Sequence, residues 1–129
     1  MVKESTGDLA RMLRIKELSG AALPFYNGSN PLVLDALIAG AKGWCTAAPH
    51  LRAQLCLDLY AAVRAGDLDT ARKIYDGLAP LLRFIVNGGL PTTVKAGLQI
   101  LGTDVGDPRP PLLPLCDSDR AELQALLAP

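Results

Sequence analysis

A surplus of charge of either sign is the first thing this chain lacks: thirteen Lys plus Arg balance thirteen Asp plus Glu over 129 residues. With zero formal net charge, nothing draws it toward polyanions, so nucleic acid and anionic membrane drop out as default partners. Histidine is almost absent. His50 is the only one, so no histidine-based triad or metal pair can be assembled from this chain, and its place after Pro49 reads as a helix-start or surface position. Cysteine is scarce and odd in number: Cys45, Cys56 and Cys116 form no C-x-x-C pair, which excludes a disulfide framework or zinc site and predicts reduced thiols. There is no long apolar run. The longest uncharged stretch, Leu18 to Leu34, is interrupted by Gly20, Pro24, Asn27, Gly28 and Pro31, whereas a bilayer span takes about 20 apolar residues. The segment Met1 to Asp8 carries acidic residues and no apolar h-region, so it does not read as a signal peptide and the chain reads as cytoplasmic. Asn27-Gly28-Ser29 therefore meets the glycosylation pattern only formally.

What is present is apolar. Half of the residues are hydrophobic, enough for one domain with a real core. Ser5 or Thr6 is a candidate N-cap, with Asp8 in the first turn, for a helix whose Leu9, Met12, Leu13 and Ile15 have helical spacing and whose end is Gly20. Ala22-Leu23-Pro24-Phe25-Tyr26 reads as a short buried strand running into the polar turn Asn27-Gly28. A second such unit follows. Asn30-Pro31 fits a helix start, Leu32, Leu34, Leu37 and Ile38 continue it, Gly40 stops it, and Gly43 to Ala47 reads as another strand. After Pro49 the pattern is helical only. One helix carries Leu51, Leu55, Leu59 and Ala62, and a longer one capped by Asp67 carries Leu68, Ala71, Tyr75, Leu78, Leu82 and Ile85, with Pro80 expected to bend it. Pro91 to Leu101 predicts a further helix with Val94, Leu98 and Leu101 on one face. Asp117 or Ser118 caps a last one bearing Leu123, Leu126 and Leu127. Between them, Asp107 to Pro114 is too proline-rich to be helical.

Two helix–strand alternations imply parallel β/α units, yet parallel strands need neighbours on both sides, or closure into a barrel. A whole (β/α)8 barrel takes about 250 residues, so this pattern reads as roughly its second half. The expected division is residues 1–50 as a partial β/α barrel segment and residues 51–129 as the last barrel helix plus a helical region.

The run Val2-Lys3-Glu4-Ser5-Thr6-Gly7-Asp8 resembles the sixth-strand motif of the dihydrodipicolinate synthase and N-acetylneuraminate lyase family, class I lyases on a (β/α)8 barrel. In the same order come Asn27-Gly28, Gly43-Trp44-Cys45-Thr46, Ala65-Gly66-Asp67, Leu78-Ala79-Pro80-Leu81 and Leu90-Pro91-Thr92-Thr93-Val94-Lys95, and the resemblance covers the whole chain. The resemblance implies the end of strand 6, strands 7 and 8 with their helices, and the C-terminal helical extension. It implies that Lys3 is the Schiff-base lysine that condenses with a 2-oxo acid such as pyruvate. Composition alone would read Lys3 as a solvated terminal side chain. Only a neutral amine attacks a carbonyl, so such a site must desolvate the ammonium, whose ordinary pKa is about 10.4.

The resemblance further assigns Gly28 to a close backbone approach to substrate, and Ser29 and Asn30 to contacts with its distal part. Read from the residues alone, Asn27-Gly28 is a turn and Asn30-Pro31 a helix cap. Cys45 corresponds to a position whose backbone lines the pocket, Thr46 lies beside it, and the Cys45 thiol is expected to be buried and inert. Lys95, Thr92 and Thr93 are expected to be structural. No cofactor and no metal are implied, because the lysine itself forms the electron sink. The family's fifth-strand tyrosine and its Gly- and Thr-rich carboxylate-binding loop have no counterpart here, and Tyr26, Tyr60 and Tyr75 fall elsewhere. The expected role is thus the C-terminal portion of a dihydrodipicolinate synthase-like lyase, inactive alone and partnered by an N-terminal half-barrel or by copies of itself. A sugar-acid or sialic-acid lyase, or an imino-acid deaminase or dehydratase, is the alternative within the family. Outside it, Pro108 to Pro114 could bind a partner groove in extended form, although the same stretch serves to cross a domain surface.

Overall fold

A computed structural model describes residues 1–20 and 22–128. The element order is β1 (Val2–Glu4), α1 (Leu9–Ser19), β2 (Phe25–Asn27), a 3-10 turn (Asn30–Leu32), α2 (Val33–Ile38), α3 (Pro49–Ala65), α4 (Leu68–Asn87), α5 (Leu90–Ile100) and α6 (Asp117–Leu126). β1 and β2 pair in parallel, with Val2 opposite Phe25, Lys3 opposite Tyr26 and Glu4 opposite Asn27.

The predicted strand at Gly43–Ala47 survives as a single parallel bridge between Asn27 and Trp44. Its ladder is nonetheless real: Lys42 N donates to Phe25 O at 2.9 Å, Asn27 N to Gly43 O at 3.0 Å, and Cys45 N to Asn27 O at 2.8 Å. The β2 strand starts later than predicted, at Phe25. Pro24 has no N–H to give, and its carbonyl instead accepts from Val2 N at 3.0 Å.

Several helix boundaries differ from those the sequence predicts. Asp8, and neither Ser5 nor Thr6, caps α1, its Oδ1 accepting from Ala10 N at 2.9 Å and Arg11 N at 3.4 Å. Gly7, at φ +79°, turns the chain between the Ser5–Thr6 loop and that cap. Ser29 precedes the 3-10 turn, so Asn30 is its first residue and not its cap. Cys116, with no side-chain cap bond, precedes α6, whose Asp117 and Asp119 sit in the first turn, where the helix dipole favours carboxylates. On α3 the buried residues are Leu51, Cys56 and Leu59, while Leu55 is 38% exposed. Arg52 adopts non-helical angles of φ −143° and ψ 60°, and beyond it Cys56 and Leu59 face the core with Ala62 and Val63 packed against it. Leu68 and Leu101 also lie outside the core, at the outer ends of their helices.

The long α4 carries Pro80 and still runs unbroken to Asn87, burying Ala71, Leu78, Ala79, Leu81, Leu82 and Ile85. All of these but Ala79 join Met12, Phe25, Val33, Leu37, Leu51, Leu59 and Leu123 in one apolar cluster. Here α4 packs against α3, α2 and the 3-10 turn, and its end lines the same cavity as the loop that follows β1. The Pro108–Pro114 stretch crosses the surface between α5 and α6. It is anchored by Thr92 Oγ1 donating to Leu113 O at 3.2 Å, and the loop leading into it by Lys95 Nζ donating to Val105 O at 2.7 Å.

Candidate lysine site

Register decides where the lysine points. Side chains of a strand alternate between faces, and paired residues share a face. Lys3 therefore shares a face with Tyr26, while Glu4 and Asn27 lie on the other. Lys3 is held in a paired strand, and its side chain is exposed.

Glu4 is buried on the opposite face, and its Oε1 accepts from Thr6 N at 3.0 Å, which folds the Ser5–Thr6–Gly7 loop back beside the lysine. Gly28 lies against Lys3. A Cβ there would meet Ser5 Oγ at 2.0 Å, Lys3 Cε at 2.8 Å and Glu4 O at 2.9 Å, so only glycine lets the lysine stem pass. The Gly28 N–H donates to Glu4 O at 2.7 Å and closes this contact.

A cavity of about 430 Å³ opens at these strand ends. Lys3, Gly28, Ser29, Asn30, Cys45 and Thr46, all six residues singled out from the sequence, line it. They come from three consecutive strand ends, where the loops of parallel β/α units converge. Asn27 shapes the turn among them, its Nδ2 donating to Ser29 O at 2.7 Å and its Oδ1 accepting from Ser29 N at 2.9 Å. Asn30 is buried and faces inward: its Oδ1 accepts from Thr46 Oγ1 at 2.7 Å, while Thr46 Oγ1 accepts from Ala48 N at 3.0 Å. These two side chains thus brace the second and third strand ends.

Cys45 corrects an expectation. It is exposed on the cavity wall, whereas Cys56 is the buried thiol, and burial pushes the Cys56 pKa up to about 11. His50 is exposed at the start of α3.

Ser5, Thr6, Gly7, Pro31, Ile85, Val86 and Leu90 complete the lining and were not picked out from the sequence. Ser5 to Gly7 follow Lys3 directly, so the motif itself was a signal. Ile85, Val86 and Leu90 are over eighty residues away, on α4 and the start of α5, and their spacing reads only as a core stripe. Among the described residues no group of three His, Cys, Asp or Glu could hold a metal ion, and no helix is long and apolar enough to cross a membrane.

The family model for the dihydrodipicolinate synthetase family matches residues 1–129. The chain belongs to the dihydrodipicolinate synthetase family. It is 36% identical over 126 residues to 4-hydroxy-tetrahydrodipicolinate synthase 2 of Halalkalibacterium halodurans, spanning 98% of this chain and 43% of that protein. With the Mycobacterium leprae 4-hydroxy-tetrahydrodipicolinate synthase the identity is 40% over 113 residues, covering 88% of this chain and 37% of that one. Among solved structures, a dihydrodipicolinate synthetase-type protein of Pseudomonas aeruginosa superposes with a TM-score of 0.96 at 53% identity, over 98% of this chain and 44% of that chain. A dihydrodipicolinate synthase of Bacillus anthracis gives 0.90 at 34% identity, over 97% and 43%. The chain thus spans less than half the length of the family members it matches, and its β/α units and helical region are the C-terminal part of their barrel fold.

Proposed function

We propose that this chain is the lysine-bearing portion of a dihydrodipicolinate synthase-like lyase, with Lys3 as the nucleophile toward a small 2-oxo acid. One observation carries the reading: Lys3 and the glycine that makes room for its stem open into a cavity shared with the ends of the next two strands. The Lys3 amine adds to the C2 carbonyl, and loss of water leaves an iminium that withdraws electrons from C3. Deprotonation at C3 then gives an enamine able to form or break a carbon–carbon bond, and water finally releases the lysine. The chemistry needs no cofactor beyond the side chain. Gly28, Ser29, Cys45 and Thr46 would border the bound acid, with Asn30 bracing Thr46.

Lys3 is exposed here, so the solvent exclusion that a neutral amine requires falls to the remaining barrel strands. The proposed partner is therefore an N-terminal half-barrel, or further copies of this chain, and the proposed setting is the cytoplasm. The test is to mix the chain with a separately made N-terminal half of the Pseudomonas aeruginosa relative, add pyruvate and borohydride, and locate the label by mass spectrometry. Labelling of Lys3 in the mixture well above the slow trapping that any exposed amine shows in the chain alone, with negligible lyase activity in the chain alone, is expected. Absence of Lys3 labelling in a mixture that forms a folded complex would overturn the proposal.

A further inference from the structure

Among the described residues Lys3 is the only charged side chain on the cavity wall; the remaining lining groups are hydroxyls, a thiol, an amide and apolar surface. The neighbouring carboxylate of Glu4 lies on the opposite face of β1, where its Oε1 accepts from the Thr6 amide and its buried Oε2 has no partner. Asn30 and Thr46 bond to each other, so the two polar side chains at the base are already engaged. Opposite them, α4 and the start of α5 supply Ile85, Val86 and Leu90. Val86 is 53% and Leu90 47% exposed, so these aliphatic groups are open to whatever enters beside the lysine.

From this distribution we infer that the helical region sets distal specificity, and that the acid taken at Lys3 carries an uncharged aliphatic or aromatic tail beyond C3. The inference rests on the Schiff-base reading above and adds the substrate class. A tail bearing a carboxylate or ammonium would lose water there and gain no ionic partner from this wall, whereas a branched hydrocarbon gains by burial against Val86 and Leu90. For a tail of three or four carbons on a half-open wall, about a fivefold preference is expected.

The chain as it stands can be tested, because an exposed amine is trapped slowly by any 2-oxo acid with cyanoborohydride. The probes are 4-methyl-2-oxopentanoate and 2-oxoglutarate, and peptide mass spectrometry reads the labelling of Lys3 relative to Lys16 in the same molecules. The Lys3 to Lys16 ratio should be about fivefold higher with 4-methyl-2-oxopentanoate. The double variant Val86→Ser, Leu90→Ser, which removes the aliphatic surface without adding charge, should level the two probes, and since both residues are surface-exposed the fold should persist, as circular dichroism would verify. Equal ratios for the two probes in the parent chain, or a preference untouched by the double variant, would overturn the inference. The two readings fail separately: missing pyruvate labelling in the reconstituted barrel refutes Lys3 as the nucleophile, while equal treatment of both tails with that labelling intact refutes only the apolar wall.

Discussion

Replacing Gly28 by Ala tests the geometry at the lysine most directly, because one methyl group meets three close neighbours, one of them backbone. The new Cβ would lie 2.0 Å from Ser5 Oγ, 2.8 Å from Lys3 Cε and 2.9 Å from Glu4 O. The hydroxyl of Ser5 can rotate away and the lysine stem can swing, but Glu4 O belongs to the backbone of β1 and accepts the Gly28 N–H at 2.7 Å. Restoring ordinary contact to that oxygen takes a shift of about half an ångström, against a bond that pulls the two segments together, and overpacking of this kind costs about 1–3 kcal/mol. Urea unfolding of the chain should therefore show Gly28→Ala less stable by about 1–3 kcal/mol with an unchanged slope. In the reconstituted barrel, displacement of the lysine stem should lower pyruvate trapping at Lys3 by about tenfold to a hundredfold. Adding Ser5→Ala removes the shortest contact but leaves the backbone one, so the double variant should recover only part of the loss. A Gly28→Ala chain as stable as the parent, with trapping intact, would refute the close approach of β1 and the turn after β2.

Three further outcomes follow from burial and titration. Truncating Leu82, fully buried on α4, to Ala should cost about 2–5 kcal/mol by denaturant unfolding, whereas Leu57→Ala, at a position 61% exposed, should change stability by less than about 0.5 kcal/mol. In the native chain, Cys45 and Cys116 should react with a thiol reagent at rates near those of an unfolded peptide, while Cys56 should react only on unfolding; equal rates for all three would contradict the observed burial. The folded Cys56 pKa of about 11 lies above its unfolded value of 9.0, so the stability from its neutral thiol is complete below pH 9 and is lost as pH rises from 9 to 11. Cys56→Ser should flatten that alkaline decline in a pH series of melting temperatures, and an unchanged decline would assign it to other groups.

Some of this protein was legible residue by residue. The turn at Asn27-Gly28 was readable because an Asx turn is set by a short local pattern, whereas Lys3, Gly28, Ser29, Asn30, Cys45 and Thr46 were singled out by resemblance to the family's strand-end motifs, and the six line one cavity. Asp67 at the start of α4 and the apolar stripe ending at Ile85 were readable for the same reason, since caps and helical periodicity act within a few residues. What required the tertiary structure were features set between distant segments. On α3, packing buries Cys56 and leaves Leu55 exposed, and the non-helical angles of Arg52 are likewise revealed by no local spacing. The third strand shrinks to a bridge at Trp44, and the pairing of Asn30 with Thr46 appears only when two strand ends meet. The aliphatic wall of Ile85, Val86 and Leu90 was invisible for the plainest reason: a side chain's periodicity says which face it occupies, and only packing says what that face meets.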